Sequence, residues 1–256
     1  MKKLGQEEVR EIYKAYASFN SLRKVSKIFG RSVSTIRKYA NVKAKNIVRS
    51  VKTNDELLMG LYVGLWLGDG TQYIDRYGQT VKICSNKNDK LLNKFICDLM
   101  YKLFGKSVNL IEEKNTNRAY VRFHSKFIFD YIYNYVKLNG HKTYSVKLKG
   151  DLRSFTDKFL KGCLLGLALS DGSLRGRFTF GVASEGLASN MKEILLRFQF
   201  NPYVRIENRP NKATFYVVAL TAKESRLLQE FLSSIIHDTG DDYSFNELKY
   251  GPDLTF

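Results

Sequence analysis

One unusual segment occurs twice in this chain: GLYVGLWLGDG at residues 60–70 and GCLLGLALSDG at residues 162–172. Each reads as a short apolar helix with glycines four apart, and each ends abruptly in Asp-Gly. An internal repeat constrains the architecture before any local reading does, because a unit that cannot bury its apolar face alone packs against its copy. The residues after each segment are also parallel. TQYIDRYGQTVKICSNKNDK leads into an amphipathic run in the first copy, and SLRGRFTFGVASEG does so in the second. Both predict strand, short turn, strand and amphipathic helix. A second hairpin then comes in each (VNLIEEKNTNRAYVRFH and YVRIENRPNKATFYVVALT), succeeded by a helix over 126–136 and 223–236. The expectation is an α+β protein built as a pseudo-twofold pair of αββαββα half-domains, over 56–150 and 151–256.

Gly60 and Gly64, like Gly162 and Gly166, fall on one face of their helix. Glycine costs a helix interior roughly 1 kcal/mol relative to alanine. Two such sites, each duplicated, predict close approach of another backbone, and the natural partner is the other copy. The two helices are expected to cross on these glycines at the centre of the molecule.

The aspartates are the informative misfit. An anion at a helix C-terminus is unfavourable with the macrodipole by about 0.3–1 kcal/mol. Asp69 and Asp171, at the same end of two crossing helices, would also repel each other. Such a pair is expected where cations gather. Carboxylates with phosphate oxygens and water are the ligand set of Mg²⁺, and metal-assisted phosphodiester hydrolysis needs that grouping.

Composition points to the substrate. In 256 residues, 42 Lys and Arg stand against 25 Asp and Glu, a net charge of +17 spread along the chain, beside 16 Tyr and 17 Phe. A globular protein this basic is expected to meet nucleic acid. In residues 118–123, Arg118, Tyr120 and Arg122 alternate with Ala119, Val121 and Phe123, so a sheet with one apolar and one basic face is expected, fit for duplex DNA. Gln72, Lys82, Arg175, Arg177, Arg205 and Arg209 join Arg118, Tyr120 and Arg122 as candidate DNA contacts. Three scattered cysteines form no zinc spacing or disulfide framework and read as buried thiols of a reducing compartment. Three histidines are too few for a His-rich metal centre. The N-terminus lacks a signal-peptide core, and the apolar runs fall short of the ~20 residues of a membrane span. A cytoplasmic protein is expected.

Residues 1–41 read as a separate all-α module. Leu22, Val25, Ser26 and Phe29 line one helix face, Gly30 supplies a turn, and Ser32 is a good N-cap for a helix burying Val33, Ile36 and Tyr39. This is a helix-turn-helix pattern, with Ser34, Thr35, Arg37 and Lys38 presented for DNA. Residues 42–55 form a basic linker.

The two repeated motifs, with their spacing and the ββα pattern after each, resemble the LAGLIDADG homing endonucleases in their single-chain, two-motif form. The resemblance covers roughly residues 55–256. It implies a saddle-shaped antiparallel sheet, a monomer, and a site-specific double-strand DNA endonuclease that serves intron homing on a long asymmetric target. It also implies that the last acidic residue of each motif, Asp69 and Asp171, holds Mg²⁺, with Mn²⁺ or Ca²⁺ able to substitute in binding; Gly68 and Ser170 complete the expected metal set. The motif's earlier acidic position is Leu67 and Leu169 here. A basic residue late in each repeat serves catalysis in the family, and Lys142 resembles it. The second repeat has Asp242 near the aligned place and Lys249 further on, so one half is expected to lack its lysine and the strands to be cut unequally. Ser85 (or Asn86) and Ser184 fall where the family places a water-orienting side chain. Two other readings stay open: a catalytically silent DNA-binding regulator on the same scaffold, and an RNA maturase acting on intron RNA.

Overall fold

A helix that is apolar on every side must lie in the middle of a protein, and two such helices form the centre of this one. In the computed structural model, which describes residues 6–19, 21–44, 50–75, 78–208 and 213–251, Leu57 through Leu67 are all buried within the helix Glu56–Asp69, and Phe159–Leu160 and Gly162–Leu169 are buried within Asp157–Ser170. The chain divides into two compact units, Met1–Ile47 and Val48–Phe256.

The first unit holds α1 (Gln6–Phe19), α2 (Leu22–Phe29) and α3 (Val33–Ala44). Ser21 caps α2, and Gly30 ends it at φ 56°, a left-handed conformation that suits glycine. Ser32 caps α3 by accepting from the Thr35 amide. Ile12, Val25, Ile36 and Ala40 make a small sealed core. Ser34, Arg37 and Lys38 are exposed on α3. Thr35 is half-buried, its hydroxyl 2.8 Å from Ser32 Oγ, because the cap engages it.

The second unit repeats one topology. Its first half runs α4 (Glu56–Asp69), β1 (Gly70–Asp75), β2 (Gly78–Asn86), α5 (Lys90–Phe104), β3 (Leu110–Glu112), β4 (Arg118–His124) and α6 (Lys126–Tyr131). The short elements β5 (Val136–Lys137), α7 (Lys142–Ser145) and β6 (Lys147–Leu148) lead to the second half: α8 (Asp157–Ser170), β7 (Gly172–Ser173), β8 (Thr179–Val182), α9 (Glu185–Arg197), β9 (Tyr203–Glu207), β10 (Phe215–Ala219), α10 (Ala222–Asp238) and α11 (Phe245–Tyr250). The sheets are antiparallel, ordered β1-β2-β4-β3 and β7-β8-β10-β9. The α+β class and the duplicated αββαββα plan stand as expected from the sequence.

Two elements differ from expectation. The helix expected over 126–136 stops at Tyr131; a 3₁₀ turn over Ile132–Asn134 follows, and Val136 pairs instead with Leu148 in a two-stranded ribbon. The strand after Asp171 is only two residues long, where its counterpart has six. The Leu174 amide donates to Tyr250 Oη at 2.5 Å rather than to a neighbouring strand, and Gly176 turns the chain at φ 78°.

α4 and α8 meet on their glycines. A Cβ at Gly60 would lie 1.9 Å from the Phe159 carbonyl oxygen, and one at Gly64 2.3 Å from that of Cys163. Reciprocally, Gly162 faces Leu57 O at 2.0 Å and Gly166 faces Leu61 O at 2.5 Å. At their N-termini the helices are tied by Thr156 Oγ1, which donates to Glu56 at 2.7 Å while capping α8. Cys163 is sealed in this interface, and burial pushes its thiol up to about 12. Cys84 and Cys97 are half-buried rather than buried; all three are free thiols. Among the described residues no helix is long and apolar enough to cross a membrane.

Candidate active site

The Asp-Gly pairs sit where each central helix becomes a strand. The switch takes a single residue: Gly70 pairs with Ile83 on β2 and Gly172 with Phe180 on β8. A Cβ at Gly70 would meet Trp66 O at 2.4 Å, and one at Gly172 would meet Ala168 O at 2.6 Å, so only glycine passes so close to the last helical turn. The aspartate before it is therefore held at the helix end. Because α4 and α8 run together, the two ends abut: Asp171 Oδ2 lies 3.0 Å from where a Gly68 Cβ would be, and Ser170 Oγ lies 2.0 Å from it.

Both aspartates are exposed, yet much of what surrounds their carboxylates is protein rather than water. Burial, and then the charge of Asp171, push the Asp69 carboxyl up to about 6, with Lys249 and Lys142 opposing. Burial raises Asp171 as well, again opposed by Lys142 and Lys249.

Two ammonium groups answer the two carboxylates. Lys142, the first residue of α7, donates to the Gly68 carbonyl at 2.7 Å and lies 5.1 Å from the Trp66 ring centre. Lys249, from α11, donates to Leu169 O at 2.6 Å and Ser170 O at 2.8 Å. A cation on the last carbonyls of a helix is favoured by the macrodipole. Burial lowers Lys142 to about 8, against the pull of Asp171, Asp69 and Cys84, and lowers Lys249 likewise. The expected shortage of a second lysine is thus corrected: Lys249 stands to the end of α8 as Lys142 stands to the end of α4. Asp242, the residue near the aligned place, is exposed ahead of α11. The signal that could have located Lys249 is the capping box of Ser244 and Glu247, which marks a short helix carrying the lysine in its last turn.

Ser85 and Ser184 have structural partners. Ser85 Oγ donates to Asn93 Oδ1, and Ser184 Oγ donates to Val146 O at 2.6 Å while capping α9. Among the described residues no three His, Cys, Asp or Glu side chains gather to hold a metal by themselves. The donors at hand are two hard carboxylates, since the Gly68, Leu169 and Ser170 oxygens beside them accept from Lys142 and Lys249; such a pair suits a cation that keeps water or phosphate oxygens in its remaining positions.

Strand register decides which candidate DNA contacts share a face. Thr71, Lys82 and Arg122 pair across the first sheet, as do Cys84 and Tyr120; both rows lie on the face away from the core. Arg118 is exposed on that face. Lys82 Nζ lies 4.2 Å from the Tyr120 ring centre and 5.3 Å from that of Tyr73. Gln72 does not belong to this group. It pairs with Val81, which pairs with Phe123, so its side chain turns to the core side and its amide is buried. The parity follows from Gly70, fixed opposite the core residue Ile83. On the second sheet Arg205 is exposed and lies 3.7 Å from Glu207. Arg175 and Arg177 are exposed between β7 and β8, Arg175 over the Tyr250 ring. Arg209 lies outside the described residues.

Solved structures share this arrangement. A mesophilic variant of the homing endonuclease I-DmoI is 14% identical, with a TM-score of 0.55 over 71% of this chain and 98% of that one. I-DmoI in complex with DNA and Ca is 15% identical, with a TM-score of 0.55 over 71% and 92%. I-DmoI in complex with DNA and Mn is 16% identical, with a TM-score of 0.54 over 70% and 97%. The chain has the LAGLIDADG fold of that single-chain, two-motif endonuclease. No protein-family model matches the chain, and no curated protein matches its sequence.

Proposed function

We propose that this protein is a metal-dependent, site-specific endonuclease of double-stranded DNA, acting as a monomer with one half on each side of the cleavage site. One observation carries the reading: two aspartates, side by side and partly enclosed by protein, each have a half-buried lysine at the same helix end. A structural role explains neither the duplication nor the retained electrostatic cost. That I-DmoI has been solved with DNA, Ca and Mn supports DNA and a divalent cation as the partners.

In this reading Asp69 and Asp171 would hold Mg²⁺, whose chemistry when bound is to activate water and stabilise a leaving oxygen, while the Gly68 and Ser170 carbonyls are taken by Lys142 and Lys249. The carboxylates set the position of the cleavage centre between the two scissile phosphates. Lys142 and Lys249 place a positive charge beside each phosphate, where negative charge accumulates as the P–O bond breaks. The basic face of the first sheet holds the duplex, so affinity falls steeply with salt. The exposed side of α3, with Ser34, Arg37 and Lys38, adds DNA contacts from the first unit.

The test uses a duplex selected from a random pool by binding, then incubated with Mg²⁺ or EDTA. The parent protein cuts both strands with Mg²⁺ only, and Asp69→Asn and Asp171→Asn each slow cutting by roughly 10²–10³. Selective binding without cutting in Mg²⁺ or Mn²⁺ would make the protein a DNA-binding regulator. Undiminished cutting by both variants would sink the site assignment.

A further inference from the structure

Each of the two lysines arrives on a segment that docks on the other half. After α7 has delivered Lys142, the chain runs through Val146, Lys147 and Leu148 along α9, a helix of the second half. Ser184 Oγ, at the start of α9, donates to Val146 O at 2.6 Å, and Asn190 Oδ1 accepts from the Leu148 amide at 2.8 Å. Both side chains are buried, so losing either one leaves its partner unsatisfied away from water. Between them the Lys147 stem lies on Gly186, where a Cβ would come within 2.9 Å of Lys147 Cδ. Lys249 shows the reverse arrangement. The loop leading into α11 is held by α5 of the first half: Lys102 Nζ donates to Thr239 O at 2.9 Å and to Asp241 Oδ2 at 2.8 Å. The Asp241 carboxylate is largely buried and also accepts from Thr239 Oγ1 at 2.8 Å. Further along, Lys94 Nζ lies 5.9 Å from the Tyr243 ring centre. Ties to the carrying half remain as well, since Val136 pairs with Leu148 and the Phe245 amide donates to Ser233 Oγ at 3.0 Å. Because α5 and α9 are the corresponding helices of the two halves, the exchange is reciprocal.

We propose that Ser184 and Asn190 are positioning residues for Lys142, and Lys102 with Asp241 for Lys249, so that each strand is cut with a lysine placed by the opposite half. This rests on the nuclease reading given above. The connection to Lys142 is short: the Val146 amide donates to Lys142 O at 3.1 Å, and Val146 is the residue that Ser184 holds. For Lys249 the held loop runs directly into the Ser244–Glu247 capping box that starts α11. An ammonium that must meet both a helix-end carbonyl and a phosphate tolerates little displacement, and a misplacement of about 1 Å costs up to about 10²-fold in rate. Neither half then forms a working centre alone. The two cuts are linked because each depends on the docking of both halves.

The full chain is compared as parent, Asn190→Ala, Lys102→Met and Lys102→Arg, with Trp66 fluorescence as the check of folding. In a first assay a strand-labelled duplex is cut with Mg²⁺, and Lys142→Met and Lys249→Met mark which strand depends on which lysine. Asn190→Ala, a change in the second half, slows the strand that depends on Lys142 by about tenfold and spares the other. Lys102→Met, a change in the first half, slows the strand that depends on Lys249, and Lys102→Arg restores it. A second assay, in EDTA and without DNA, follows acetylation by acetic anhydride through peptide mass spectrometry. Asn190→Ala speeds the labelling of Lys142 but not of Lys249, and Lys102→Met does the reverse. Should Asn190→Ala fail to fold, the Lys102 variants decide by the same criteria. Loss that falls on both lysines alike, or on the lysine of the variant's own half, overturns the proposal, as does parent-like behaviour of both variants. Crossed labelling in a protein that never cuts leaves the exchange standing and removes the nuclease reading; cutting without the crossed pattern does the opposite.

Discussion

Replacing Gly60 by alanine sets two effects against each other, and their sum has a definite sign. Helix propensity alone favours alanine by about 1 kcal/mol. The new methyl group would lie 1.9 Å from the Phe159 carbonyl oxygen, whereas ordinary contact needs about 3.5 Å. The obstacle is backbone on both sides, which cannot rotate aside, so α4 and α8 must part by about 1.5 Å at this level. Overpacking of a rigid core costs about 3 kcal/mol at its upper end. The net loss is about 2 kcal/mol, which lowers the melting temperature by roughly 4–8 °C for a unit of this size. Trp66, the only tryptophan, is buried in α4 and reports the second unit alone when urea unfolding is followed by fluorescence. Gly162→Ala, whose methyl would lie 2.0 Å from Leu57 O, should behave the same way. The double variant should lose less than the sum, because helices already parted at one level accept the second methyl cheaply. A Gly60→Ala protein as stable as the parent, or more stable, refutes the close-packing account and leaves propensity as the governing effect.

The paired aspartates should cost stability that activity requires. Asp69 ionises near pH 6 in the folded protein and near 3.8 unfolded, so between those values the native state binds more protons and stability falls as pH rises. Asp69→Asn and Asp171→Asn are therefore expected to be more stable than the parent at pH 7.5 in metal-free buffer, an advantage that vanishes below pH 4; urea midpoints at the two pH values check this. For the lysines, Lys142→Met and Lys249→Met should each slow cutting by about 10²–10³ and leave nicked circles from a supercoiled plasmid, with the two variants nicking opposite strands. Nicking by one variant only would mean that the halves are chemically unequal.

The central architecture was legible because it rests on residues with few alternative explanations. Four glycines inside two apolar helices require a close backbone, and two Asp-Gly ends require a one-residue passage from helix to strand. The alternation around Val121 and Phe123 revealed the faces of β4, since a strand buried on one side must alternate. Register across strands was not legible. Gln72 has a polar side chain in a strand beside the site, and only the pairing of Gly70 with Ile83 turns it to the core side. Ser85 and Ser184 are similar: a hydroxyl placed to orient water and one held by a structural partner look alike until that partner is known, Asn93 Oδ1 for Ser85 and the Leu187 amide with Val146 O for Ser184. The failure over 126–136 has a tertiary cause, since Val136 exchanges helix continuation for pairing with Leu148.

Lys249 shows where sequence comparison between the halves had to fail. Lys142 comes from α7, a four-residue turn of helix, while Lys249 comes near the end of α11, beyond a separate capping box. What the halves share is an endpoint in space, an ammonium on the carbonyls just before an aspartate. An alignment scores the path to that endpoint, and the paths differ. The requirement is electrostatic: each helix end combines exposed carbonyls with a carboxylate that the macrodipole disfavours, and an ammonium offsets both at once. Any segment able to deliver one within about 3 Å satisfies that condition, so the charge is duplicated where the sequence around it is free to diverge. The two ends of α4 and α8 face one chemical problem and have one answer.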